Sequence, residues 1–132
     1  MALPEVLIVD DDQLIRAMVR DALSDVPCDI REAESGDAAL AAIAQRTPAV
    51  VLLDLVMPGK SGLEVLKTLK GGSSRVLVLS ALDTEALVQQ ALASGAHGFL
   101  SKPIHPLDVQ NLVRGALEAA RAKPPGATPL GS

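Results

Sequence analysis

The chain has 132 residues, 48% of them apolar, enough for one domain with a real core and too many for a disordered chain. A formal net charge of −4, from 12 basic and 16 acidic residues, argues against direct nucleic-acid binding, which needs a basic surface. The single cysteine, Cys28, excludes an internal disulfide; with no membrane-length apolar run and no signal-peptide pattern, the expected location is the cytoplasm.

Val6-Leu7-Ile8-Val9 is a short apolar run that stops at Asp10-Asp11, and it reads as a buried strand. A helix is expected over 12–24, capped by Asp12, with Leu14, Ile15, Met18, Val19, Ala22 and Leu23 on its apolar face. Residues 28–33 are mixed in polarity and read as an edge strand. Ser35 caps a second helix over 36–45, and Pro48 precedes a strand over 49–54 that ends in Asp54. After the loop Met57-Pro58-Gly59-Lys60, Ser61 and Glu64 have capping-box spacing for a helix to about residue 70, which Gly71-Gly72 stops.

A fourth strand spans 75–80 and ends in Ser80; Asp83 or Thr84 then starts a helix that ends near Ser94-Gly95. The short run Gly98-Phe99-Leu100-Ser101 stops at Lys102-Pro103, and Pro106 suits the first turn of a last helix to about residue 122. Residues 123–132 have Pro and Gly but no periodicity, and read as a flexible tail or linker after a domain over 1–122. Strand and helix alternate five times. Right-handed crossovers make this an α/β fold, a doubly wound parallel sheet with helices on both faces.

In such sheets ligands bind outside the carboxyl ends of the strands. Asp10, Asp11, Asp54, Ser80 and Lys102 all stand at strand ends. Three carboxylates, a hydroxyl and an ammonium suit a divalent cation and a phosphoryl group. Each residue alone has a plainer reading: a cap, a turn serine or a solvated lysine. It is their shared placement that gives the set its meaning. His97 and His105 lack ligand spacing to each other or to Cys28 and read as surface residues.

Taken in order, Leu7-Ile8-Val9-Asp10-Asp11, Leu53-Asp54-Leu55-Val56-Met57-Pro58-Gly59 with Gly62, Val78-Leu79-Ser80-Ala81, and Gly95-Ala96-His97-Gly98-Phe99-Leu100-Ser101-Lys102-Pro103 resemble the receiver domain of bacterial two-component response regulators. That is the fold of the chemotaxis regulators, and the resemblance covers residues 4 to 122. It implies the flavodoxin-like strand order 2-1-3-4-5. It also implies that Asp54 is the phosphoacceptor, and that Asp10, Asp11, Asp54 and the backbone carbonyl of Val56 hold Mg2+. Lys102 would pair with a phosphoryl oxygen, before a peptide bond to Pro103 that is often cis in the family. Ser80 would reach for the phosphoryl group, and Phe99, the lone aromatic, would repack as the switch.

The implied partners are a sensor histidine kinase or histidine phosphotransfer protein upstream, and a protein target or fused output domain downstream. A phosphorylation-dependent dimer is compatible with this; direct nucleic-acid or membrane binding by this domain is not expected. The domain would catalyse only its own phosphorylation and dephosphorylation. Two alternatives stand beside it. An aspartyl-nucleophile phosphohydrolase usually has a second carboxylate two residues after the nucleophile, where this chain has Val56. A receiver-like module that never accepts phosphate would have no use for all five polar residues. G-x-G-x-x-G after the first strand, G-x-x-x-x-G-K-[ST] and G-x-S-x-G are all missing, so dinucleotide, nucleotide-hydrolase and serine-hydrolase readings fail.

Overall fold

The computed structural model describes residues 3–59, 61–81 and 84–122. Within them lie β1 (Glu5–Val9), α1 (Gln13–Ala22), β2 (Asp29–Ala33), α2 (Gly36–Gln45), β3 (Val50–Asp54), α3 (Gly62–Leu69), β4 (Arg75–Ser80), α4 (Glu85–Ala93), β5 (Gly98–Ser101) and α5 (Pro106–Ala122). The expected tail over 123–132 falls outside the described residues.

Five parallel strands form one sheet in the order β2-β1-β3-β4-β5, as the resemblance implied. The apolar runs of β1, β3 and β4 are buried because helices cover both sides of the sheet. Alternation along each strand divides the core in two. Val6, Ile8, Val50, Leu52, Leu77 and Leu79 pack against Val19 of α1, Leu23 just after it, and Val109 and Val113 of α5. Leu7, Val9, Val51, Leu53, Val76 and Val78 face the other way, against Ala39 of α2, Val65 and Leu66 of α3 and Ala91 of α4. β2 is an edge strand, as its mixed polarity suggested, and Cys28 before it is half-buried against the first core. β5, read from its apolar run as buried, forms the other edge and is only half-buried.

The caps that set the helix starts behave as their residue types require. Asp12 accepts from the Leu14 amide, Ser35 from Ala38, Ser61 from Glu64 and Thr84 from Leu87. Each such cap contributes about 1 kcal/mol. Thr84 therefore opens α4, and Asp83 falls outside the described residues. Gly71 ends α3 at a φ of 83°, the left-handed conformation that glycine adopts without strain.

One expected face is too wide. Val19, Ala22 and Leu23 are buried and Ile15 packs on the core, but Leu14 is 67% exposed and Met18 is 41% exposed. α1 and α5 share one side of the sheet, so each presents only a narrow stripe to it. The outer apolar positions of α1 are left at the surface.

The start of α3 lies hard against the end of β3. A Cβ on Gly62 would sit 2.3 Å from the Asp54 carbonyl oxygen and 2.5 Å from the Leu55 Cα, both backbone atoms. The Gly62 amide donates to the Leu55 carbonyl at 3.1 Å, which locks the approach. Gly62→Ala must push the two segments apart, and it should cost about 1–3 kcal/mol of stability. Chemical denaturation followed by far-UV circular dichroism measures this; an unchanged midpoint would show that the contact is soft.

Candidate phosphoacceptor and metal site

Parallel strands in register bring their carboxyl ends to one edge of the sheet. Asp54 is the last residue of β3 and pairs with Leu79, one residue before Ser80 at the end of β4. Asp10 directly follows β1, and its amide extends the ladder by donating to the Ala33 carbonyl at 3.1 Å. Lys102 follows β5, and its amide donates to the Ser80 carbonyl at 2.8 Å. The Lys102–Pro103 peptide bond is cis. Four of the five sequence-selected residues are thus carried by the sheet itself.

Carboxylate oxygens of Asp10, Asp11 and Asp54 lie within 4.8 Å of one another. Asp10 is 1% exposed, Asp54 4%, and Asp11 opens to solvent. The Lys102 ammonium donates to Asp10 Oδ2 at 2.8 Å and reaches Asp54 Oδ2 at 3.4 Å. The other Asp54 oxygen accepts from the Val56 amide at 3.1 Å. Asp12 donates its amide to Asp10 Oδ1 at 2.9 Å. Hard oxygen donors this close, one of them solvent-facing, fit a small divalent cation that keeps part of its water shell. The chain has such an acidic pocket.

Burial pushes the Asp54 carboxyl above its ordinary value; the Val56 amide and the Lys102 charge oppose the shift, and Asp10 adds to it. For Lys102, burial alone would pull the ammonium down. The hydrogen bond and charge of Asp10, with the charge of Asp54, outweigh it and hold the ammonium above its usual range. The buried groups are thus a mutually dependent cluster with excess negative charge.

Ser80 is wholly buried at the end of β4, opposite Ser101. The Val56 side chain points outward and is 55% exposed; its amide, rather than its side chain, engages Asp54. Phe99 does not join the polar site. It is half-buried, pairs with Val78, and, like Leu87 of α4, packs against the second core. His97 is exposed, as read from the sequence, yet its Nδ1 accepts from the Val76 amide at 3.0 Å. Two contributors had no role assigned from the residue pattern, although Gly62 was among the residues that carried the resemblance. Arg16 donates from Nη1 to the Asp10 carbonyl at 2.6 Å, and the missing side chain of Gly62 lets α3 approach Asp54.

The geometry has counterparts in known proteins. The sequence profile of the response regulator receiver domain matches residues 6–114. The chain belongs to that family. It is 39% identical over 118 residues to the transcriptional activator protein ExaE of Pseudomonas putida, covering 85% of this chain and 54% of that protein. It is 39% identical over 113 residues to the KDP operon transcriptional regulatory protein KdpE of Escherichia coli, covering 85% of this chain and 50% of that one. Among solved structures, the signal receiver domain of the response regulator NarL from Mycobacterium tuberculosis superposes with a TM-score of 0.82 at 36% identity, covering 93% of this chain and all of that one. The chain spans about half the length of the curated relatives it matches. Phosphorylation-activated signalling is the work of this receiver domain. No helix among the described residues is long and apolar enough to cross a membrane.

The raised Asp54 carboxyl has a consequence for stability. The folded state keeps its proton to a higher pH than the unfolded chain does. Ionising Asp54 therefore costs stability as pH rises from the ordinary value of 3.8 through the raised one. In metal-free buffer, Asp54→Asn should be more stable than the parent at pH 7, and the gap should close as pH approaches 4. Paired denaturation curves at the two pH values measure it; a variant less stable at pH 7 would contradict the sign.

Proposed function

We propose that Asp54 accepts a phosphoryl group from a phosphohistidine, in a Mg2+-dependent reaction. The donor is a sensor histidine kinase or a histidine phosphotransfer protein. One observation carries the reading: a buried carboxylate is held by an amide on one oxygen and faces a lysine on the other, beside two further carboxylates. A carboxylate oxygen of Asp54 attacks phosphorus, the P–N bond to the donor histidine breaks with its electron pair going to the imidazole, and an acyl phosphate forms.

Asp10, Asp11 and Asp54, with the Val56 backbone carbonyl, would hold the cation. Bound Mg2+ neutralises the clustered negative charge against which the phosphoryl group must approach. Lys102 turns from Asp54 toward a phosphoryl oxygen, and its close bond to Asp10 keeps the ammonium in place during transfer. The Ser80 hydroxyl draws toward the new phosphoryl group, and the space it leaves admits the Phe99 ring. That repacks the face of α4, β5 and α5, which the output domain or protein target reads. Loss of the phosphoryl group is also catalysed by the domain itself.

Leu14 and Met18 are one turn apart on α1, and Leu107, 68% exposed, opens α5 beside it. These exposed apolar side chains, on the two helices that start at the carboxyl edge of the sheet, suit contact with the histidine-bearing helix of the donor. The phosphohydrolase alternative is weaker. The position that would hold its acid is Val56, an exposed apolar side chain.

Acetyl phosphate with Mg2+ should label the parent chain at one site, seen as a single phosphoryl mass increment. Chelation or Asp54→Asn should abolish it. Label surviving on Asp54→Asn would place the acceptor elsewhere, and steady release of phosphate from an external monoester would favour the hydrolase.

The lone aromatic ring makes the switch measurable. Beryllofluoride with Mg2+ should shift the Phe99 ring resonances in the NMR spectrum, and Ser80→Ala should reduce the shift. Resonances that stay in place in the activated parent would remove Phe99 from the mechanism.

A further inference from the structure

The acidic loop is tied to the body of the protein from a second direction. Arg16 sits one turn into α1, and its side chain is only 13% exposed. Its Nη1 donates to the Asp10 carbonyl at 2.6 Å, while its Nε donates to Glu32 Oε1 at 2.9 Å. Glu32 lies on β2, and its other oxygen takes Arg20 Nε at 2.9 Å and Nη2 at 2.8 Å. The two guanidiniums, Arg20 first, hold the Glu32 carboxyl below its ordinary range, so it is ionised at neutral pH.

We infer that Arg16 is a positioning residue for metal binding: clamped by Glu32, it fixes the Asp10–Asp11 peptide so that the two carboxylates converge with Asp54. This rests on the reading of that pocket as the Mg2+ site. The peptide between Asp10 and Asp11 has two ends to fix. Its carbonyl end is held by Arg16, and the Asp10 side chain is held by the Asp12 amide and Lys102. Asp11 is exposed, so its place depends on the peptide plane before it. A guanidinium suits the task because its planar fork serves a carbonyl and a carboxylate at once, and it cannot lose its charge. Glu32 also matters for what it prevents. An unclamped guanidinium beside three carboxylates would fold onto them and compete with the metal. Partners outside the ligand shell that orient a ligand commonly govern metal affinity in this way.

Position and charge make opposite forecasts, so the sign of one measurement decides between them. Arg16 is a cation near a cation site. If only its charge mattered, removing it would tighten Mg2+ binding. If it positions the loop, removing it loosens binding. Mg2+ titration followed by backbone amide shifts, in 0.15 M salt, gives the affinity directly. Arg16→Gln should weaken Mg2+ binding about tenfold, and Arg16→Lys, which can keep one of the two bonds, should recover part of the loss. Glu32→Gln should weaken binding in the parent but add nothing on top of Arg16→Gln, because Glu32 acts through Arg16. Glu5→Gln, at the other end of β1, should lower stability without moving Mg2+ affinity, which separates general destabilisation from positioning. Should Arg16→Gln fail to fold, Arg16→Lys still separates the two: it keeps the charge, so weaker binding supports the positioning role and unchanged binding overturns it. Equal or tighter binding by the Arg16 variants, in a parent that titrates normally, overturns the positioning role alone. A parent that shows no Mg2+ titration overturns the metal reading and the inference with it.

Discussion

One ammonium makes the carboxyl edge of this sheet tenable. Asp10 and Asp54 end neighbouring strands and are almost fully buried, and Lys102 is the cation that reaches both. An unpaired buried carboxylate costs several kcal/mol after relaxation. The strand ends therefore come together only because β5 delivers Lys102 to the same place, through the amide that continues the ladder to Ser80. The bond to Asp10 is the shorter one, so Asp54 is left partly uncompensated and its carboxyl is displaced upward by burial.

The other end of β1 carries a buried carboxylate with two cationic partners. Glu5 is also buried, but Arg31 donates to one of its oxygens at 2.7 Å and Arg46 pairs with the other. Arg31 further ties the Ala42 and Arg46 carbonyls. There one carboxylate has two guanidiniums. At the carboxyl edge, among the described residues, three clustered carboxylates have one ammonium. The first arrangement is a structural ion triad with its negative charge more than matched. The second is short of positive charge, and that deficit is what a divalent cation and an incoming phosphoryl group use. Strain of this kind is held at the site by the well-packed core on both faces of the sheet.

The same asymmetry explains which parts of the site could be read from residue order. Asp10, Asp54, Ser80 and Lys102 stand out because each interrupts an apolar run, and a buried parallel strand has a recognisable composition. Their placement on one edge follows from strand direction; their convergence on one site also needs the observed strand order. Arg16 had no such marker: on a helix with polar residues on its outer side, an arginine that reaches back to a carbonyl looks like any solvated one. The exposure of Leu14 and Met18 was equally hidden, since periodicity shows which positions can face the core but not how much of the sheet a neighbouring helix already covers.

By itself the sequence determined the alternation of five strands and five helices, three helix starts through Asp12, Ser35 and Ser61, and the polar residues at the strand ends; between Asp83 and Thr84 as the start of α4 it did not choose. These are local properties, set by periodicity and by hydrogen bonds spanning two or three residues. The strand order, implied by resemblance, could not be derived from the pattern, because any order of equally apolar strands buries a similar surface. Only the tertiary structure decided that Lys102 lies nearer to Asp10 than to Asp54, that α3 touches the Asp54 backbone where Gly62 has no side chain, and that Arg16 joins Glu32 to the acidic loop. Each of these contacts joins segments distant in the chain or on separate elements, and its geometry is set by how helices settle on the sheet rather than by any residue's own preference.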